Sequence, residues 1–138
     1  MIEVQQSETK TRTLRHGERA PECLAEPLFL LADLDPDWVW IAEHNGAVVG
    51  TVVACGCHGI ALILRVRMSE NAPRTALLIL LRRFFADLRE RKCNGYMVWF
   101  DPTNESEKVL QVIAEKLGGI VVDRPGIGVA SRLPAEGI

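Results

Sequence analysis

From His44 to Leu64 the chain carries no Asp, Glu, Lys or Arg, a run long enough to cross a bilayer as a helix. Its interior argues against that reading. Asn45-Gly46, Gly50 and the Gly56 to Gly59 segment interrupt the run, and the pieces between them are rich in β-branched residues. Pieces of that kind are strands rather than turns of one helix. Asn-Gly also tolerates the positive φ that a tight hairpin demands. The stretch therefore predicts buried strands: Trp38 to Glu43, a turn at His44-Asn45-Gly46, a return over Ala47 to Cys55, a second turn at Gly56 to Gly59, and a third strand from Ile60 to Met68. An antiparallel meander this apolar needs amphipathic cover.

The cover follows directly. Leu77, Leu80, Leu81, Phe84, Phe85 and Leu88 recur at helical spacing, with Arg82, Arg83, Asp87, Arg89 and Glu90 opposite them. Pro73 suits the first turn of this helix, where its missing N–H is not needed. The helix should stop near Asn94-Gly95, and Tyr96 to Phe100 reads as a short central strand. Asn104 with Glu107 makes a capping-box-like start to a second helix carrying Val109, Val112, Ile113 and Leu117. Gly118 and Gly119 end it. Ile120 to Val122 and Ile127 to Ala130 then form a hairpin around Asp123 to Gly126.

The start of the chain is weaker in signal. Residues 1–20 are polar, with Ile2 and Val4 or Thr11 to Leu14 as weak strand candidates. A loosely helical patch follows at Leu24, Leu28 and Leu31, broken by Pro27 and ended by the Asp33 to Asp37 segment. The order after this start is βββ-α-β-α-ββ. That is an α+β pattern, a mostly antiparallel central sheet with helices on its faces.

With 138 residues the chain is expected to form one domain spanning 1–138, its recognisable core at 38–133. Hydrophobic residues make up 48% and charged residues 25%, enough to bury a core without a disulfide or metal staple. Sixteen Lys and Arg against eighteen Asp and Glu give a net charge of −2, which argues against gripping a nucleic acid backbone. MIEVQQSETK lacks the apolar core of a secretory signal. The expectation is a cytoplasmic protein with no membrane contact, in which Cys23, Cys55, Cys57 and Cys93 stay reduced.

The element order and the residues at its joints resemble the GNAT acetyltransferase superfamily over roughly Trp38 to Leu133. WIAEHNGAVVGTVVA looks like the family's second and third strands. LILRVRM with the loop and leucine-rich helix after it looks like the fourth strand, pyrophosphate loop and third helix. NESEKVLQVIAEKLGG looks like the fourth helix. The resemblance implies acetyl-CoA as co-substrate and direct transfer of an acetyl group to an amine, on a small molecule or a protein. It implies main-chain contacts to the pantetheine arm at Val66 and Met68, a phosphate cradle at Arg74, Thr75 and Ala76, and a cofactor contact at Asn104.

Two positions depart from the family pattern. The stretch Ser69 to Ala76 contains no glycine, where family members use Arg/Gln-x-x-Gly-x-Gly/Ala so that the backbone can approach phosphates. Ala114 stands where many members carry a tyrosine that protonates the leaving thiolate. Losing a general acid typically costs about 10²–10⁴-fold, not all activity. The rival expectation is a catalytically inactive GNAT-fold protein with a structural or protein-binding role, as a homodimer or with a protein partner. The compact size and glycine-free loop also resemble acetyltransferase-like proteins carried by tailed phages.

Other constellations carry less. Cys55-Gly56-Cys57-His58 offers thiolates and an imidazole, but cysteines two apart on one strand face cannot complete a zinc tetrahedron, so no metal site is expected. Cys57 and His58, adjacent on an extended chain, point apart and make no nucleophilic pair. Among Glu43, Glu70 and Asp101, Asp101 is the candidate general base, at the end of a central strand. Arg65 and Arg67 share a strand face and suit a phosphate, an acidic partner or solvent. Trp38, Trp40 and Trp99 are expected in core and lid packing.

Overall fold

A computed structural model describes residues 8–18, 35–123 and 126–135. Its strands are β1 (Thr9–Thr13), β2 (Val39–His44), β3 (Ala47–Cys57), β4 (Ile60–Met68), β5 (Gly95–Phe100), β6 (Ile120–Val122) and β7 (Ile127–Arg132). The helices are α1 (Arg74–Glu90) and α2 (Glu105–Lys116), with a short 3₁₀ turn at Pro36–Trp38 before β2. The seven strands form one sheet in the order β1-β2-β3-β4-β5-β7-β6, antiparallel except where β4 meets β5. The expected α+β architecture is present. The weak strand candidate at Thr11 to Leu14 becomes β1, shifted toward Thr9; the candidates at Ile2, Val4 and the Leu24 to Leu31 patch lie outside the described residues.

Asn45 and Gly46 both take positive φ, 52° and 84°, and turn β2 into β3. The second turn is tighter than expected. His58 and Gly59 alone make it, at φ 50° and 79°, so β3 extends through Gly56 and Cys57. Pro73 sits one position before α1 as its N-cap rather than inside the first turn. Trp99 is the clearest departure: it is 52% exposed and is not core packing.

Both helices lie on the same face. The Tyr96 ring of β5 packs against Phe85 of α1 at 5.5 Å, and its hydroxyl donates to the Leu110 carbonyl of α2 at 2.6 Å. Burial pushes the Tyr96 phenol up to about 12. The main core gathers Trp40, Val52, Ile63, Val66, Val98 and Phe100 of the sheet with Leu80, Leu81, Phe84, Phe85, Leu110 and Ile113 of the helices. α1 is also pinned toward β1 and β2, where Asp87 accepts from Trp40 Nε1 at 2.8 Å and from Arg83 Nε at 2.9 Å. Leu14, Val39, Ile41 and Val53 form a second cluster. Further along, on the face away from the helices, Leu62, Leu64, Met97, Trp99, Ile120 and Val122 stand exposed. The sequence reading of buried strands through Leu64 holds for Val49 to Ala54 of β3, whose Ala47, Val48, Cys55 and Gly56 are exposed, and for only one face of β4.

Candidate functional site

The join between β4 and β5 is short. Pairing runs from Ile60 opposite Gly95 to Ile63 opposite Val98 and stops, although β4 continues to Met68 and β5 to Phe100. Beyond it β4 keeps β3 and β5 keeps β7, so the sheet splits. The cause is local. Val53 faces Arg65 while Ala54 faces Ile63, which leaves Leu64 as the extra residue of a bulge, and a bulge bends its strand and raises the twist.

The direction of the backbone in the split follows from one hydrogen bond. Ser69 N–H donates to the Val49 carbonyl of β3 at 2.7 Å. Backbone groups alternate sides along an antiparallel strand. Arg67 therefore shares the direction of Ser69, while Val66 and Met68 turn their N–H and C=O into the split. Among the described residues no strand pairs with them there.

At the mouth of the split β4 runs through Ser69–Pro73 into α1. No side chain caps α1 at Pro73 and its first turn holds no acidic residue. Arg74 and Thr75 are exposed, and their N–H groups have no partner among the described residues. Backbone donors and the positive end of a helix thus converge at an exposed arginine, an arrangement that favours an anion. Ala76 does not join them, because its N–H donates to the Pro73 carbonyl at 3.0 Å.

The other bank is the start of α2. Asn104 Oδ1 accepts from Glu107 N–H at 3.1 Å, and Asn104 Nδ2 donates to Glu107 Oε1 at 2.7 Å. Asn104 therefore caps α2 with one bond at each polar end. Glu107 itself is completely buried and pairs with Arg65 Nη1 at 2.8 Å, an ion pair reaching from β4 across the split to α2. Among the described residues Glu107 Oε2 and Gln111 Oε1, one turn apart on α2, are buried without hydrogen-bond partners. Burial raises the Glu107 carboxyl above the usual carboxylate range, against the lowering pull of Arg65, of the Val66 N–H that faces it, and of Arg67.

The remaining candidates fare differently. Asp101 is exposed, and its Oδ1 accepts from both Thr103 N–H and Thr103 Oγ1, which holds it below the usual range. Glu43 is paired with Arg12 beside β1, far along the sheet. Glu70 is exposed in the loop before α1. Ala114 is buried against the Gly118–Gly119 turn. The chain's single tyrosine is Tyr96, whose hydroxyl is committed to Leu110, so no tyrosine stands ready as a proton donor. A separate open groove of about 410 Å³ lies at the opposite end of the sheet, between Gly95, Gly118 and Arg132, away from the split.

Sequence reasoning missed the burial of Glu107 and its pairing with Arg65. A signal existed: Glu107, Leu110, Ile113 and Ala114 share one helical stripe, which places the carboxylate among core residues.

No family model and no curated protein matches the chain. Solved structures do. The diaminobutyrate acetyltransferase of Paenibacillus lautus, solved with L-2,4-diaminobutyric acid and coenzyme A, superposes at a TM-score of 0.65 with 16% identity, over 96% of this chain and 100% of that one. The ribosomal-protein-S18-alanine N-acetyltransferase of Escherichia coli gives 0.66 with 13% identity, over 94% and 97%. An acetyltransferase of the GNAT family from Staphylococcus aureus gives 0.54 with 13% identity, over 70% and 67%. At these identities the likeness is one of fold.

Proposed function

We propose that this chain, which has the GNAT fold, is an acetyl-CoA-dependent N-acyltransferase that passes an acetyl group directly to a primary amine. One observation carries the reading: the split after Ile63 and Val98 leaves the backbone of Val66 and Met68 facing a gap beside the bare N-terminus of α1. The residues fit the co-substrate. Arg74 and the N–H groups of Arg74 and Thr75 receive the pyrophosphate in place of a glycine loop, and Val66 and Met68 receive the amide-bearing arm as an added strand would be received. When bound, acetyl-CoA supplies the reactive thioester. The Val66 N–H, which faces the Glu107 carboxylate, becomes a donor to the thioester carbonyl only where Glu107 releases it.

Proton handling differs from that of a tyrosine-bearing relative. Ala114 and Tyr96 offer no acid at the split, and the Glu107 carboxyl there is held by Arg65, so the leaving sulfur is protonated by water or by the amine itself. Asp101, whose carboxylate is lowered and occupied by Thr103, makes a poor base. A second reading, a silent protein-binding member of the fold, is favoured by the Arg65–Glu107 pair that already bridges the split. Isothermal titration with acetyl-CoA and then CoA separates the two. Micromolar binding supports the enzyme. No heat and no thermal shift at millimolar acetyl-CoA would sink it.

A further inference from the structure

Two oxygens on α2 lack a hydrogen to accept. Among the described residues Glu107 Oε2 and Gln111 Oε1 are buried with no hydrogen-bond partner, although Glu107 Oε1 accepts from both Arg65 Nη1 and Asn104 Nδ2. The two residues are four apart on one helix and so share a face. Bare acceptors in a buried place are costly, and neither can answer the other. The Gln111 amide does not supply the hydrogen, because its Nε2 is turned to Glu115 Oε1 at 2.9 Å. Flipping that amide would set its oxygen against the Glu115 carboxylate. A proton on Glu107 Oε2 resolves both atoms at once: the acid donates, and Gln111 Oε1 is the acceptor one turn on.

The ionised form has another partner. The Glu107 carboxylate faces the Val66 N–H and is held by Arg65, where β4 has lost its pairing with β5. A thioester carbonyl lying along β4 needs that same N–H, so carboxylate and ligand compete for one hydrogen. Burial pushes Glu107 toward the acid, and Arg65 and Arg67 of β4 pull it back toward the carboxylate. On α2 itself Glu105, Lys108 and Glu115 are exposed. Of the other strands behind α2, β5 brings Tyr96, whose hydroxyl is spent on the Leu110 carbonyl. β6 carries no charge, and β7 carries only Arg132, opposite Gly95 at the far end of β5. Asp101, after β5, is exposed and bonded by Thr103.

We propose that Glu107 is a proton-operated latch on the split: as a carboxylate it holds the Val66 N–H and Arg65 and shuts the thioester arm out, and on taking one proton it turns Oε2–H to Gln111 and lets Val66 go. The proposal rests on the acyltransferase reading and adds a regulation of the same site. The proton comes from solvent, one O–H bond forms, and no other covalent bond changes. Acetyl-CoA binding is thereby coupled to the uptake of up to one proton, and affinity falls as pH rises and the carboxylate fills. The bridge across the split is then the closed state of an enzyme. Glu107→Gln imitates the open state, since its amide N–H donates to Gln111 Oε1 while its oxygen still accepts from Arg65.

The test titrates the full chain with acetyl-CoA and with CoA from about pH 5 to about pH 8. At the upper end Glu107→Gln should bind about tenfold more tightly than the parent, the worth of one hydrogen bond to a charged group. At the lower end the two should converge. The ligand's own phosphates titrate alike with both proteins, so the ratio reports Glu107. A ratio flat with pH, or a variant that binds more weakly than the parent, overturns the latch and leaves the enzyme reading intact. If neither protein binds at any pH, the enzyme reading fails and the latch falls with it. A ligand-free measurement stands beside these: the Val66 amide resonance of the parent should shift as Glu107 titrates, and Glu107→Gln should lack the shift. A Val66 amide indifferent to pH overturns the latch even where the variant does not fold.

Discussion

Two helices begin at the same end of the sheet, each following one of the two parallel strands, and their first turns are chemically opposite. α2 satisfies itself: Asn104 caps it, Glu105 and Glu107 sit in its first turn, and Glu107 is pulled further in by Arg65. α1 does none of this; Pro73 offers no side-chain cap and no acidic group follows it. A helix end whose donors and dipole are already answered has nothing left for a ligand, whereas a bare one beside Arg74 does. The split between β4 and β5 is thereby polarised, with an anion-receiving bank at α1 and a carboxylate bank at α2. A ligand with one anionic end and a neutral arm can enter in only one orientation.

Removing the carboxylate bank should have the largest effect. Glu107→Ala leaves Arg65 facing a buried gap, a change expected to cost about 3–5 kcal/mol, measured by urea unfolding at neutral pH. Glu107→Gln sharpens the point through pH. Because the folded carboxyl is raised, the native state holds its proton over the interval from the ordinary carboxylate value up to the raised one. Native stability from this group is thus full below that interval and lost as pH rises through it. The difference between Glu107→Gln and the parent should move in favour of the glutamine as pH climbs from about 4 to 7; a flat difference would refute the raised carboxyl. On the other bank, Arg74→Glu should weaken CoA binding about tenfold by titration. The same substitution should stabilise α1 by a few tenths of a kcal/mol, since it supplies the missing acidic group.

How much of this was legible depended on whether the determinant was local. The Asn45-Gly46 turn, the Asn104–Glu107 cap and the leucine stripe of α1 are written in adjacent residues, and each is found where its pattern predicts. The split was not legible, because it arises from a register slip between Val53 and Ala54 that depends on two strands at once. Arg65 and Arg67 looked equivalent in an alternating strand. Both lie beyond the bulge at Leu64 in one register, opposite Val53 and Thr51, and Arg65, the nearer to the bulge, pairs with Glu107. Trp99 misled for a related reason. An aromatic in a central strand reads as core unless one knows that its neighbour across the sheet is Gly128 and that the helices lie behind it.

The smaller effects test how cleanly the two banks divide the work. Asn104→Ala removes a cap and one of the donors that hold Glu107, so a loss of about 1 kcal/mol is expected, with CoA affinity nearly unchanged because both polar ends of Asn104 already face Glu107. A large fall in affinity without a fall in stability would move Asn104 from cap to ligand contact. Asp101→Ala should matter least. Its carboxylate is exposed and occupied by Thr103, and a group held below the usual range is ionised throughout the neutral region yet too weakly basic to take a proton from an ammonium. Acetyl transfer by the variant should stay within about twofold of the parent from pH 6 to 9. A loss approaching the roughly hundredfold expected of a missing general base would return Asp101 to the centre of the chemistry and take the proton from water's hands.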